Sequence, residues 1–238
     1  MKQASSRPAR ALAPGPAIFL LLAITALISE APSLAAGSLE FKRIVGISWA
    51  TFSEPPSPVA IPEAGFSLAR QTGLVFGGGG VLRLGPYFSI DLNLQYLRKG
   101  AKVDHTFMEE HVGTSTYDFK SFSVPICVRF GPLRGSTPYL LTGIETSYLL
   151  GHNVVFFPDG SESGTATKLG PVVRHVDFAA VLGGGFEVVL KNWTCFAELR
   201  YYSGLVNLSR GVDAYPVIKT RTLSLQFGFR THRAPFPF

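Results

Sequence analysis

The chain has 238 residues, 46% of them hydrophobic and only 16% charged, with a formal net charge of +6. An average soluble domain carries about 25% charged residues, and a disordered chain combines high charge with few aromatics. The 19 phenylalanines exclude disorder, and two cysteines are too few for a disulfide scaffold.

The first element is a targeting segment. Lys2, Arg7 and Arg10 form a basic start, Ala17 to Ile28 is a twelve-residue apolar run, and Ser33-Leu34-Ala35 supplies the small residues that a signal peptidase reads. The run falls short of the roughly 20 residues of a membrane helix. Residues 1–35 are therefore expected to be a cleaved secretory signal, and residues 36–238 the working domain. Cleavage removes three bases and Glu30, so the net charge drops from +6 by +2, to about +4. So small an excess does not point to nucleic acid.

Beyond residue 38 the apolar residues alternate with polar ones, the period of a strand with two unlike faces. Eight segments read this way: 41–52, 72–84, 88–96, 122–130, 138–150, 177–188, 193–201 and 222–230. In 88–96, Phe88, Ile90, Leu92, Leu94 and Tyr96 alternate with Ser89, Asp91, Asn93 and Gln95. The connections alternate as well. Gly85-Pro86-Tyr87, Gly131 to Thr137 and Lys191-Asn192 are short; about 53–71, 97–117, 151–176 and 202–220 read as long loops rich in Pro, Gly, Ser and charge. Short turns on one side and long loops on the other are the mark of an outer-membrane barrel. The predicted fold is thus all-β, an eight-stranded antiparallel up-and-down transmembrane β-barrel.

A soluble secreted carrier of the lipocalin type would alternate too, with its apolar face inward. Three features favour the membrane. The polar face carries Asp91, Arg129, Glu145, Asp177, Glu187, Glu198 and Arg200 among glycines and serines, a set that can pair inside a narrow barrel filled by side chains. Trp49, Tyr87, Phe88, Tyr96, Phe130, Tyr139, Trp193, Tyr201 and Tyr202 gather near strand ends, as interfacial girdles do. No Lys or Arg falls mid-strand on the apolar face, where it would cost about 2–4 kcal/mol.

Several pieces resemble one family: Phe88 to Lys102 (FSIDLNLQYLRKGAK), Ser123 to Ile126 (SVPI), Pro138 to Gly143 (PYLLTG), Asp177 with Gly183 to Gly185, and Glu198 to Leu205 (ELRYYSGL). Together they make the chain similar to the PorT-like outer-membrane β-barrel proteins common in Bacteroidota. The resemblance covers nearly all of the chain after the signal and consists of strand patterns without catalytic motifs. It implies an eight-stranded barrel in the bacterial outer membrane. The founding member looks like a component of type IX secretion, a role to which no residue here ties this chain. Barrels of this kind end on an aromatic that the assembly machinery reads; Phe227, Phe229 and Phe238 all fit.

The remaining motifs are weak. Gly77 to Gly80 lacks the Lys-Ser/Thr of a phosphate loop and reads as close backbone approach. His105, His111, His152, His175 and His232 match no zinc spacing, so no metal or other cofactor is expected. His152, Asp159, Ser161 and Ser163 hold the residue types of a lipid-modifying outer-membrane enzyme. Cys127 falls on the inner face and Cys195 on the outer, so both should be free thiols. Arg98, Lys99 and Lys102 end a strand on the loop side, where they could meet lipid phosphates. The expected function is a non-enzymatic membrane anchor whose external loops bind a partner or ligand. Its expected partners are outer-membrane lipids, the barrel-assembly machinery and a protein held by the loops. A lipid-modifying enzyme, a small pore and the soluble carrier are the alternatives.

Overall fold

The computed structural model describes residues 39–54, 64–132, 135–159, 161, 164–168, 173–190, 193–209 and 218–231. The expected signal at 1–35 lies outside them. The strands are β1 (Leu39–Phe52), β2 (Ala64–Ala69), β3 (Gln71–Arg83), β4 (Phe88–Phe107), β5 (Glu110–Phe130), β6 (Thr137–Pro158), β7 (Thr165–Lys168), β8 (Val176–Val189), β9 (Trp193–Gly204) and β10 (Thr220–Thr231). Eight of them close a ring of antiparallel neighbours, in the order β1, β3, β4, β5, β6, β8, β9, β10 and back to β1. The short β2 and β7 extend the sheet beyond the ring by pairing with β4 and β6. The result is the up-and-down barrel that the alternation predicts.

The register sets the barrel's size. A circuit of paired residues that leaves Trp49 passes Leu223, Tyr201, Leu182, Thr142, Val128, Ile90 and Leu82 and comes back to Leu39. The stagger is the difference between 49 and 39, ten residues. With ordinary strand spacings, eight strands and a stagger of ten give a tilt of about 40° and a backbone radius of about 8 Å. Side chains alone fill such a lumen. Gly79 shows how tightly neighbouring strands pass: a Cβ there would lie 2.1 Å from the Leu92 carbonyl oxygen.

One of the expected long loops is not a loop, and the start of another is strand. Segment 97–117 continues β4 and β5 into a tall hairpin, and 151–158 continues β6. In 97–117 polar residues replace apolar ones, and in 154–157 apolar residues follow one another (VVFF), so the alternation that reveals a lipid-facing strand fades although pairing persists. Met108 (φ 50°) and Glu109 (φ 68°) make the hairpin's tip, two left-handed residues in succession, the conformation that joins twisted strands in a two-residue turn. β4, β5 and β6 have 20, 21 and 22 residues, against 12 to 14 in the other ring strands.

Both ends of the described ring, Leu39 and Thr231, lie on the side of the short turns. That side is periplasmic and the tall hairpins are external, by the loop asymmetry of outer-membrane barrels.

Candidate functional site

The polarity of the barrel is inverted relative to a soluble protein. Val45, Leu74, Leu94, Ile126, Ile144, Leu182 and Leu199 stand exposed on the outer wall, while Asp91, Glu145, Asp177 and Arg200 are fully buried inside. Soluble monomers do not expose so continuous an apolar surface. Lipid is the solvent that suits it.

The seven charges expected in the interior, Asp91, Arg129, Glu145, Asp177, Glu187, Glu198 and Arg200, are all buried there. The lumen is layered, and β4 orders the layers from the periplasmic end outward. At the level of Ser89, Glu187 binds both Arg129 and Arg230, and Glu40 takes Arg83 at 2.7 Å and Arg230 at 3.2 Å. Next, Lys42 Nζ donates to Asp91 at 2.8 Å and to Glu198 at 2.7 Å. Arg200 reaches Glu198 at 2.5 Å and Asp91 at 3.1 Å. The Tyr139 hydroxyl donates to Glu198 at 2.6 Å, and its ring lies 3.4 Å from the Arg129 guanidinium carbon.

The third layer is uncharged: the Tyr202 hydroxyl accepts from Gln95 at 2.9 Å and from Gln226 at 3.1 Å. In the fourth, Lys99 Nζ lies 3.0 Å from Asp177 and 3.3 Å from Glu145, and it donates to Ser147 at 3.0 Å. Thr220 donates to Asp177 at 3.0 Å. Above these layers the mouth is apolar. Phe52, Ala101, Phe119, Leu149, Val173, Leu208 and Ile218 pack into one cluster, three of them carried in by the segments that link the external strand ends.

Among the described residues the inward faces of the spanning strands hold six acids (Glu40, Asp91, Glu145, Asp177, Glu187, Glu198) and six bases (Lys42, Arg83, Lys99, Arg129, Arg200, Arg230). Every one of them is in an ion pair. Burying any of these alone would be prohibitive, and their pairing makes the interior electrically neutral.

Three expectations need correction. Lys99 is not a headgroup contact: its odd position on β4 turns it inward, where two carboxylates hold it. Tyr139 and Tyr202 are not girdle residues but lumen hydrogen-bond groups. Arg98 and Lys102 do face outward, Arg98 in an ion pair with Asp118 at 2.6 Å. The other girdle residues form an outer-wall set, with Phe88 against Phe130 and Phe76 stacked on Tyr96. Near the periplasmic end, Trp193 packs on Phe229, which also carries the outward-facing Arg43 at 5.2 Å. Glu40, Lys42, Arg83, Lys99 and Arg230 complete the lumen pairs; their inward parity was the available signal for them.

At the external rim, the His152 ring meets His175 edge-on at 5.1 Å, and Asp159 lies 3.9 Å from His111. Ser163 lies outside the described residues. His105 accepts or donates a 2.7 Å hydrogen bond with Ser115 and packs edge-on against Phe66 and Phe156. Burial lowers its pKa from the ordinary 6.5, against the opposing pull of Asp104. Cys127 is buried in the barrel and Cys195 is exposed on its wall; both are free.

Comparison with solved structures finds other small outer-membrane barrels. OprG of Pseudomonas aeruginosa is 13% identical with a TM-score of 0.44, over 84% of this chain and 99% of that one. Ail of Yersinia pestis is 15% identical with a TM-score of 0.38, over 82% and 99%. Neisserial surface protein A is 15% identical with a TM-score of 0.39, over 81% and 97%. A comparison with curated protein sequences finds no match. Residues 36–210 match the family model described as outer membrane protein beta-barrel domain. With its closed ring, apolar wall and charge-paired lumen, the chain belongs to that family and is a β-barrel protein of the bacterial outer membrane.

Proposed function

We propose that the protein is a closed, non-enzymatic membrane anchor that presents its external hairpins to a partner. The observation that carries this reading is the contrast between a filled lumen and overlong external strands. Four side-chain layers and an apolar cap occupy the interior. Meanwhile β4, at 20 residues, rises about 50 Å along the barrel axis at the tilt given above. An outer-membrane apolar band is only about 25 Å tall. A long paired hairpin is a stiff arm, and its tip exposes Phe107, Met108 and Val112 beside Glu109, Glu110 and His111. Such a mixed apolar and charged surface suits protein recognition.

Within the family, the same reading takes the chain as PorT-like, on the strength of the segments at 88–102 and 198–205. The proposal of a non-enzymatic role is supported by the lumen carboxylates, each of which serves a buried base rather than an open cleft.

A photo-crosslinking side chain placed at Met108, and separately at the lipid-facing Val45, tests the display role in intact cells. A protein adduct specific to position 108 is expected. Lipid adducts alone at both positions would overturn the reading, and stepwise conductance of the reconstituted protein in planar bilayers would favour the small pore instead.

A further inference from the structure

We infer that the outer wall across β3, β4 and β5 binds the phosphate of an outer-leaflet glycolipid through Arg70, Arg98, Lys102 and Lys120. Two adjoining cavities share Arg98. One, of about 420 Å³, is lined by Arg70, Thr72, Lys102 and Thr116; the other, of about 200 Å³, by Leu74, Tyr96, Asp118 and Lys120. Strand parity puts Arg98 and Lys102 on the outward face of β4 and Lys120 on that of β5, with Lys120 paired to Arg98.

The position along the barrel is that of a headgroup. Phe76, Tyr96 and Phe122 form a continuous run of rings on the lipid-facing wall, with centroids 4.9 and 6.3 Å apart. Arg98 and Lys120 are the next outward residues beyond it on β4 and β5. An amphiphile whose acyl chains lie on Leu74 and these rings therefore carries its polar end to the cations. The external end of the barrel meets the outer leaflet, so the lipid in reach is the one of that leaflet.

Arg98 is held in place. Its Nε donates to Asp118 Oδ1 at 2.6 Å, and Nη2 donates to the Gln71 side-chain oxygen at 3.1 Å once that amide is turned to satisfy both its ends. Its side chain keeps 38% exposure, so the outer edge of the guanidinium fork faces a ligand without further ordering cost. Gly100 lies between Arg98 and Lys102 on the same face. At φ +136° it has no room for a side chain, since a Cβ would sit 2.0 Å from the Tyr117 carbonyl oxygen. The Tyr117 backbone and the Gln71 side chain, 2.5 Å from that Cβ position, cover the buried Gly100, so no β4 side chain stands between the two cations.

The charge favours an anion. Among the described residues, Asp118 is the one acid lining the two cavities. The next acid outward, Asp104, accepts a hydrogen bond from Thr114 at 2.7 Å. Among the described residues, Arg70, Lys102 and Lys120 have no carboxylate at salt-bridge distance. The described lining, four cations against one acid, carries a net charge of +3, beside the hydroxyls of Thr72 and Thr116. A phosphate monoester matches this set through charge-assisted hydrogen bonds.

The test uses the full barrel in nanodiscs doped with a phosphorylated glycolipid, the same glycolipid after phosphatase treatment, or neither. Lipid retained through detergent exchange is counted by native mass spectrometry. Wild-type protein should retain the phosphorylated lipid and lose the dephosphorylated one. The double variant Arg98→Gln/Lys102→Gln should retain about tenfold less, while Arg174→Gln, exposed ahead of β8 and outside both cavities, should equal wild type. All three proteins must show the heat-sensitive gel mobility of a folded barrel; where the double variant does not, Arg70→Gln/Lys120→Gln replaces it in the same comparison. Equal retention of the two lipids, or of the variant and wild type, overturns the site. Displacement of the lipid by equimolar inorganic phosphate assigns the cavity to a free anion and overturns the glycolipid.

Discussion

Lys99 on β4 and Asp177 on β8 meet inside the barrel at 3.0 Å, although 78 residues separate them in the chain. The ion pair spans the lumen, because two other strands, β5 and β6, stand between them around the ring. Such cross-lumen contacts make the interior a single cooperative unit. Lys99→Met strands two buried carboxylates, and the loss of one partner from a buried pair costs about 3–5 kcal/mol. Urea unfolding in lipid vesicles should show that loss, while Arg174→Met at the exposed external rim leaves the midpoint unchanged.

The uncharged layer makes a milder prediction. Tyr202→Phe removes the oxygen to which Gln95 and Gln226 donate. Two buried amide groups then lose a partner each, at about 1–3 kcal/mol apiece. The barrel should still form and show heat-modifiable mobility, with a lower urea midpoint. An unchanged midpoint would mean that the layer contributes no stability.

Four side-chain layers and an apolar cap close the lumen in series. Replacing Phe52, Phe119 and Leu208 by Ala opens the apolar cap but leaves the Lys42–Asp91–Glu198–Arg200 layer in place. Planar-bilayer recordings of this triple variant should stay silent. Stepwise conductance of the folded triple variant would mean that the layers beneath the cap do not seal the barrel.

The external hairpin should loosen in acid. Burial disfavours the protonated form of His105, so its folded pKa lies below the ordinary 6.5. The unfolded segment then binds the proton more readily, and acidification favours it. The contribution of His105 is fully present above about pH 6.5 and is lost as pH falls through its lower folded value. Amide exchange in residues 103–115, corrected for its intrinsic pH dependence, should be faster at pH 5 than at pH 7.5. His105→Gln should flatten that difference.

The thiols report the two faces directly. A lipid-permeant maleimide should modify Cys195 in the folded barrel, and Cys127 only after unfolding, since the first lies exposed on the wall and the second is sealed inside. Early labelling of Cys127 would reveal an open interior.

How much of this was legible in advance follows strand by strand. Alternation in 88–96 and 222–230 already separates a lipid-facing from a lumen-facing set, because successive side chains of a strand point to opposite sides. The count of eight strands and the unlike faces of Cys127 and Cys195 come from that parity; that the charged face is the inward one came from the strand-end aromatics and the lack of mid-strand bases on the apolar face. The extensions of β4, β5 and β6 do not, since strands above the bilayer lose the alternation that makes them visible. Parity carried past residue 96 would have turned Lys99 inward, yet nothing local marks the strand as continuing. Which charges pair was beyond the sequence altogether. Lys42 with Glu198 and Lys99 with Asp177 are brought together by a stagger of ten around a closed ring. The sequence by itself determined the faces, because parity is a local property of extended backbone; only closure of the barrel decided the partners, because register is set by all eight strands at once.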